Sequence, residues 1–333
     1  MRVIVHIGST KTGSSAVQRF MDDHRDALRA AGVLYPAAGI LSGAHHLFAA
    51  MAHQGAWRMH RDVLGEPPFE QRGPLCTALA EEVAGFAGDT VVLSSEYLWT
   101  VREPGQFAEL LQEAGIGSFE VLCYVREISE WLLSHYGQGV RSGNAELFRP
   151  WLTRMLRNPH SGADYAGVAE RWQAVAAVSG VSARVYSEAS LPEGVIPDFL
   201  RHVGLDPGGF AIDGYAHVNP SPGEGEVLLL AALNASDTPE PYRALMRQII
   251  TDRGSQRAAF EPAGRLDPPD INRVAKAYEA KLAAFTEAHV APEHRDVPLL
   301  RRAHATPRER SEVMALATVR LVAGLMRTLD DGR

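Results

Sequence analysis

Ten residues near the N-terminus, His6 to Ser15 (HIGSTKTGSS), hold two glycines five apart, three serines, two threonines and one lysine. An apolar run, VIVHI, leads into them and an amphipathic stretch follows. A strand, a glycine loop and a helix in that order aim backbone N–H groups at an anion, and the helix N-terminus adds partial positive charge. The usual phosphate loop reads G-x-x-x-x-G-K-[ST]. Gly8 and Gly13 keep its glycine spacing, but Ser14 stands where the lysine belongs, and Lys11 lies inside the loop. Lysine is scarce in this chain, with Lys276 and Lys281 the only others, so its presence here is informative.

The displaced lysine changes the expected chemistry. A triphosphate carries dense charge and is handled with Mg²⁺ and a lysine at the loop's end. A sulfuryl group carries less charge and can be transferred without a metal. One lysine at the bridging oxygen then stabilises the charge that develops on the leaving phosphate. Lys11 suits that role, and Ser14 and Ser15 put hydroxyls at the start of the helix.

A base must take the acceptor's proton. Glu96, in LSSEYLW, falls just past the end of a predicted strand, where ligands bind in an open parallel sheet. His45 and His46 are the next candidates, on the acceptor side, because imidazole titrates near neutral pH. No set of His, Cys, Asp or Glu has metal-ligand spacing, so no metal site is expected. The two cysteines, Cys76 and Cys123, form no disulfide or zinc pattern.

The segment KTGSS resembles the 5′-phosphosulfate loop of sulfotransferases that use 3′-phosphoadenosine 5′-phosphosulfate (PAPS), bacterial members with K-T-G-[ST]-[ST] above all. The resemblance implies that Lys11, Thr12, Gly13, Ser14 and Ser15 hold the donor's 5′ side, with Lys11 also catalytic. It further implies an arginine at a strand end and a serine eight residues on, gripping the 3′-phosphate. Arg126, directly after VLCYV, and Ser134 match that pattern. A glutamate at the position of Glu96 is carried by several members, which makes it the implied base. Asn219, in an N-x-S stretch, matches bacterial members that cover the nucleotide there. The glycine-rich R-K-G-x-x-G loop of the cytosolic class has no counterpart. The implied reaction transfers a sulfuryl group from PAPS to a hydroxyl, or an amine, and releases adenosine 3′,5′-bisphosphate (PAP). The acceptor would be a hydroxylated small molecule or a glycan, and a homodimer is an expectation of the resemblance alone. The competing reading is a small-metabolite kinase using ATP and Mg²⁺; a third is a nucleotide-binding module that does no chemistry.

The elements needed to position these residues are legible as a pattern. Apolar runs at 3–7, 90–94, 119–125 and 183–187 read as buried strands, and amphipathic stretches from 16 to 28, 77–87, 106–114, 163–179 and 195–203 read as helices. EISEWLLSHYGQGVRSG reads as a helix ending near Gly143. The alternation predicts an α/β fold, a parallel sheet sandwiched by helices and P-loop NTPase-like, with a mostly helical C-terminal extension. It reads as one domain over 1–333, with an α/β nucleotide-binding core at 1–205 and an extension at 206–333 that contributes to a lid or the acceptor site. The 333 residues are 46% hydrophobic and 22% charged, an ordinary globular composition. A net charge of −7 argues against general binding of nucleic acid. The chain enters VIVHI without a charged-then-apolar leader, and its most apolar late segment is interrupted by Arg320. Neither a signal peptide nor a membrane span is expected, and the expected location is cytoplasmic.

Overall fold

The computed structural model describes residues 1–52, 71–215, 224–237, 239–254 and 266–302, together with Thr318. It is an α/β fold built on a five-stranded, all-parallel sheet flanked by helices. Strand β1 (Arg2–His6) is followed by helices α1 (Ser14–Asp23) and α2 (Arg25–Ala30) and by the two-residue β2 (Val33–Leu34). Next come α3 (His46–Ala52), α4 (Arg72–Ala84) and β3 (Thr90–Ser94), which runs into a 3-10 turn at Glu96–Thr100. Then follow α5 (Pro104–Glu113), β4 (Phe119–Val125), α6 (Ile128–Arg141), α7 (Phe148–Arg157), α8 (Tyr165–Gln173), β5 (Val178–Val185) and α9 (Val195–His202). The later helices are α10 (Glu224–Asn234), α11 (Glu240–Gly254) and α12 (Pro268–His289).

The strand order is β2-β3-β1-β4-β5. In the central strands nearly every residue is buried, as a sheet covered on both faces requires. β1 lies between β3 and β4, pairing His6 with Ser94 on one side and with Leu122 on the other. The chain leaving β1 runs to β2 beyond β3, whereas the chain leaving β4 runs to β5 on the opposite side. Connections therefore diverge between β1 and β4. In an open parallel sheet that divergence opens a crevice at the carboxyl ends of the two strands.

The chain divides into two compact units. The first comprises Met1–Arg126, Pro159–Val218 and Ala280–Pro298, and it contains the whole sheet. Its core includes an edge-to-face cluster of Phe107, Phe119 and Trp172, with centroids about 6 Å apart. The outer edge of β5 is closed by the returning chain: Val290 bridges Ala183 in parallel, and the Ala291 N–H donates to the Ala183 carbonyl at 2.9 Å. The second unit comprises Glu127–Asn158, Asn219–Glu279 and Leu299–Arg333. Among its described residues it is helical, with Trp151 packed against Tyr136 and Phe148, and Arg141 paired with the buried Glu226 at 2.7 Å.

Several elements differ from the sequence pattern. The helix expected from residue 16 to 28 breaks at His24, whose φ of −111° leaves the helical region and whose ring stacks on Phe20. The helix expected over 163–179 stops at Gln173, and β5 starts five residues earlier than the pattern suggests, at Val178. No described helix is long and apolar enough to cross a membrane.

Candidate active site

The segment between β1 and α1 wraps into a loop with three left-handed residues, Gly8 (φ 88°), Lys11 (φ 69°) and Gly13 (φ 80°). It is fastened to β4. The Tyr124 N–H donates to the Gly8 carbonyl at 2.9 Å, and both the N–H and the hydroxyl of Ser9 donate to the Tyr124 carbonyl, at 2.9 and 3.1 Å. The buried Thr12 hydroxyl donates to the Ser9 carbonyl at 2.6 Å, so this side chain braces the loop from within. The Thr10 hydroxyl oxygen is buried in the same loop and has no hydrogen-bond partner among the described residues. Gly13 opens α1, no side chain caps the helix, and its first turn carries no carboxylate. An uncapped helix start of this kind favours an anion. Ser14 is buried and Ser15 partly exposed at that start.

Lys11 is not a residue that favours its own backbone conformation. A side chain in the left-handed region costs on the order of 1–2 kcal/mol, and such residues persist where the surroundings fix them.

Glu96 stands two residues beyond the last paired position of β3, Ser94, and lies against the first glycine of the loop. A Cβ placed on Gly8 would come within 3.0 Å of the Glu96 Cβ and 3.2 Å of its Cα, so only glycine lets the two backbones approach. The Glu96 Oε2 atom accepts a hydrogen bond from the Gln18 amide at 2.7 Å. The same amide nitrogen donates to the Ser94 hydroxyl at 3.2 Å, and Ser94 in turn meets His6 Nδ1 at 2.8 Å. His6 is fully buried; burial first, and then the neighbouring His202, push it down to about 3. It is a neutral core group at any ordinary pH.

The two expected acceptor-side histidines have different surroundings. His45 is fully buried and both its ring nitrogens are engaged: Nδ1 accepts from the Ser94 N–H at 3.0 Å, and Nε2 donates to the Pro36 carbonyl at 3.1 Å. Those partners fix its tautomer, and burial pushes it down to about 3. His45 therefore braces the end of β3. His46, the first residue of α3, bonds the Ser95 hydroxyl through Nδ1 at 2.9 Å and stacks on Tyr97 at 4.1 Å. Its Nε2 stands 4.0 Å from Glu96 Oε2. Burial and the Glu96 charge push the Tyr97 hydroxyl above its usual range, so it stays protonated.

Arg126 follows directly on β4. It is buried, its carbonyl accepts from the Tyr165 hydroxyl at 2.9 Å, and its guanidinium lies 5.9 Å from the centre of the Tyr186 ring. Tyr186 also covers the loop, since a Cβ on Gly13 would meet its ring at 3.0 Å. One aromatic side chain from the exit of β5 thus touches both the loop and Arg126. Ser134 is fully buried on α6, in the helical unit. Asn219 lies outside the described residues.

No family model, curated protein or solved structure matches this chain. Among the described residues no cluster of three or more His, Cys, Asp or Glu side chains could hold a metal. Within the sheet unit, Lys11, Thr12, Gly13, Ser14, Ser15, Glu96, His46 and Arg126 all follow or border the carboxyl ends of β1, β3 and β4. Three further residues at the site were not singled out from the sequence: Gln18, Thr10 and Tyr186. Gln18 had one available clue. It occupies a buried position of α1 among Ala16, Val17, Phe20 and Met21, where a polar side chain needs a partner.

Proposed function

We propose that this protein is a PAPS-dependent sulfotransferase with a P-loop NTPase-like core, moving a sulfuryl group to a hydroxyl acceptor. The observation that carries the reading is the contact of Glu96 with Gly8, which sets a carboxylate beside an anion loop that holds a lysine in a strained conformation. A central β1 whose loop opens at the divergence of the sheet supports it further. So does the Thr10 hydroxyl buried in the loop, which has no partner among the described residues and is a donor for a bound oxyanion.

In this reading the start of α1 and the loop N–H groups bind the 5′-phosphate and sulfuryl oxygens. The acceptor oxygen attacks sulfur in line. The bond from sulfur to the 5′-phosphate oxygen breaks, and the electron pair goes to that phosphate. Lys11 stabilises the charge arriving there, and the acceptor's proton passes to Glu96. Arg126, held over Tyr186, binds the 3′-phosphate that distinguishes the donor from ATP. PAP leaves as product.

Thermal shift with three ligands tests the proposal: PAP alone, ATP with Mg²⁺, and 5′-AMP. A ligand at a hundredfold excess over its Kd stabilises by about 2.7 kcal/mol. PAP without metal is expected to give the largest rise in Tm, and Lys11→Ala or Arg126→Ala to remove most of it. A larger rise with ATP and Mg²⁺ would instead identify a kinase.

A further inference from the structure

We infer that Gln18 is the positioning residue of this centre: from α1 it holds one oxygen of Glu96 and leaves the other to receive the acceptor's proton. The inference rests on the reading of Glu96 as the base.

The amide nitrogen of Gln18 has two protons, and both are committed. One goes to Glu96 Oε2 at 2.7 Å and one to the Ser94 hydroxyl at 3.2 Å. Ser94 then has its own proton for His6 Nδ1, at 2.8 Å. A His6 kept neutral by burial can accept it. Gln18 is thus the donor in both directions, to the carboxylate on one side and, on the other, to Ser94, which donates on to His6. A reversed Gln18 amide would set its carbonyl oxygen against the Glu96 carboxylate, so the row also fixes which way the amide faces.

The consequence falls on Glu96. Its Oε2 is taken by Gln18, with His46 Nε2 4.0 Å from the same oxygen. Its Oε1 has no hydrogen bond within the described protein, and the side chain is about one-fifth exposed. Oε1, without a partner among the described residues, is therefore the oxygen left for a substrate. Among the described residues the Tyr97 and Tyr35 hydroxyls also act electrostatically with Glu96, and burial keeps both protonated.

Gln18 also lies one helical turn beyond Ser14, so the helix whose start faces the anion loop is the helix that orients the carboxylate. Loop and base are then set by one rigid element and not by two independent ones.

The test uses the full chain with ¹³C-labelled glutamate side chains, the Glu96 carboxyl signal being assigned by its loss in Glu96→Gln. In Gln18→Met, which keeps the length and removes both donors, this signal is expected to titrate about one pH unit higher, because the ionised form has lost an N–H donor. Gln18→Glu, which sets a second carboxylate beside the first, is expected to move it further in the same direction. Titration within 0.2 of a pH unit (on the order of the measurement's own scatter) in both variants would overturn the inference, as a merely structural amide would leave it unmoved. If Gln18→Met does not fold, Gln18→Leu, which also lacks the donor and adds no charge, decides in its place. PAP-induced thermal shift in the same variants keeps the two readings apart: it should be retained in both, and its absence from the wild-type chain would refute the donor assignment and leave the carboxylate result standing.

Discussion

Lys11 and Ser42 are the only described non-glycine residues with positive φ, and Lys11 lies in the loop that follows the central strand. Its backbone would be better served by glycine, whose lack of a Cβ makes the left-handed region accessible at no steric cost. If the lysine is kept for its charge, Lys11→Gly should leave stability unchanged or raise it by up to about 1 kcal/mol, because relief of strain offsets the added freedom of the unfolded chain. The same change should lower turnover of labelled PAPS by about 10²–10³, the usual effect of losing one group that stabilises developing charge. Urea denaturation and a donor-turnover assay read the two effects separately. A loss of more than about 1 kcal/mol of stability would mark Lys11 as a structural residue and remove the catalytic argument. Glu96 and Lys11 were legible in the sequence because each stands at a point where a strand pattern stops and a polar side chain begins. Gln18 was not, because a helical pattern records only that one position is polar. Which neighbour that position meets is decided by Ser94 and Glu96, more than seventy residues away.

The elements show the same division between local and distant causes. β3 and β4 coincide with the apolar runs at 90–94 and 119–125, because strands buried on both faces leave an uninterrupted signal. β2 has two residues and no pattern to detect. β5 is an outer strand, and its first half, VSGVS, alternates burial with exposure and looks weak from the sequence. The end of β3 is held by histidines in a way no pattern predicts: His6 meets the Ser94 hydroxyl, and His45 accepts from the Ser94 N–H. Both are buried and pushed down to about 3, whereas an unfolded histidine titrates near 6.5. The folded chain therefore binds fewer protons than the unfolded chain between pH 6.5 and 3, and stability must fall as pH drops through that window. Integrated from pH 7 to pH 5, each histidine accounts for about 2 kcal/mol, so the pair should remove roughly 3–4 kcal/mol. Urea midpoints at the two pH values measure this. Equal midpoints would show that neither imidazole is held neutral in solution.

At the scale of the whole molecule, the sheet unit is assembled from three separate stretches of chain, the last of them Ala280–Pro298. A boundary at residue 205, natural from the fading strand signal, would cut that stretch away. It covers the exposed edge of β5 through the Ala183–Val290 bridge and the Ala291 hydrogen bond. His294 Nδ1 accepts from the Val185 N–H at 2.8 Å, Arg184 reaches Glu293 at 2.9 Å, and Lys281 pairs with Asp164. Phe285, 1% exposed, packs on Tyr165, and Leu282 and Val290 are buried beside it. Burying side chains of this size stabilises by about 1.5–3 kcal/mol each. Three of them approach the net stability of a domain, about 5–15 kcal/mol, before the hydrogen bonds are counted. An uncovered parallel edge strand also invites pairing with other chains. A fragment of residues 1–205 is therefore expected to lack a cooperative thermal transition and to aggregate, although it contains all five strands, the anion loop, Glu96 and Arg126. The finer control is Phe285→Ala in the full chain, which should cost about 3–5 kcal/mol as a large buried ring is lost. Circular dichroism melts compare the three proteins. A fragment that unfolds sharply at the temperature of the intact chain would show that the returning segment only decorates β5, and that the sheet and its loop stand without it.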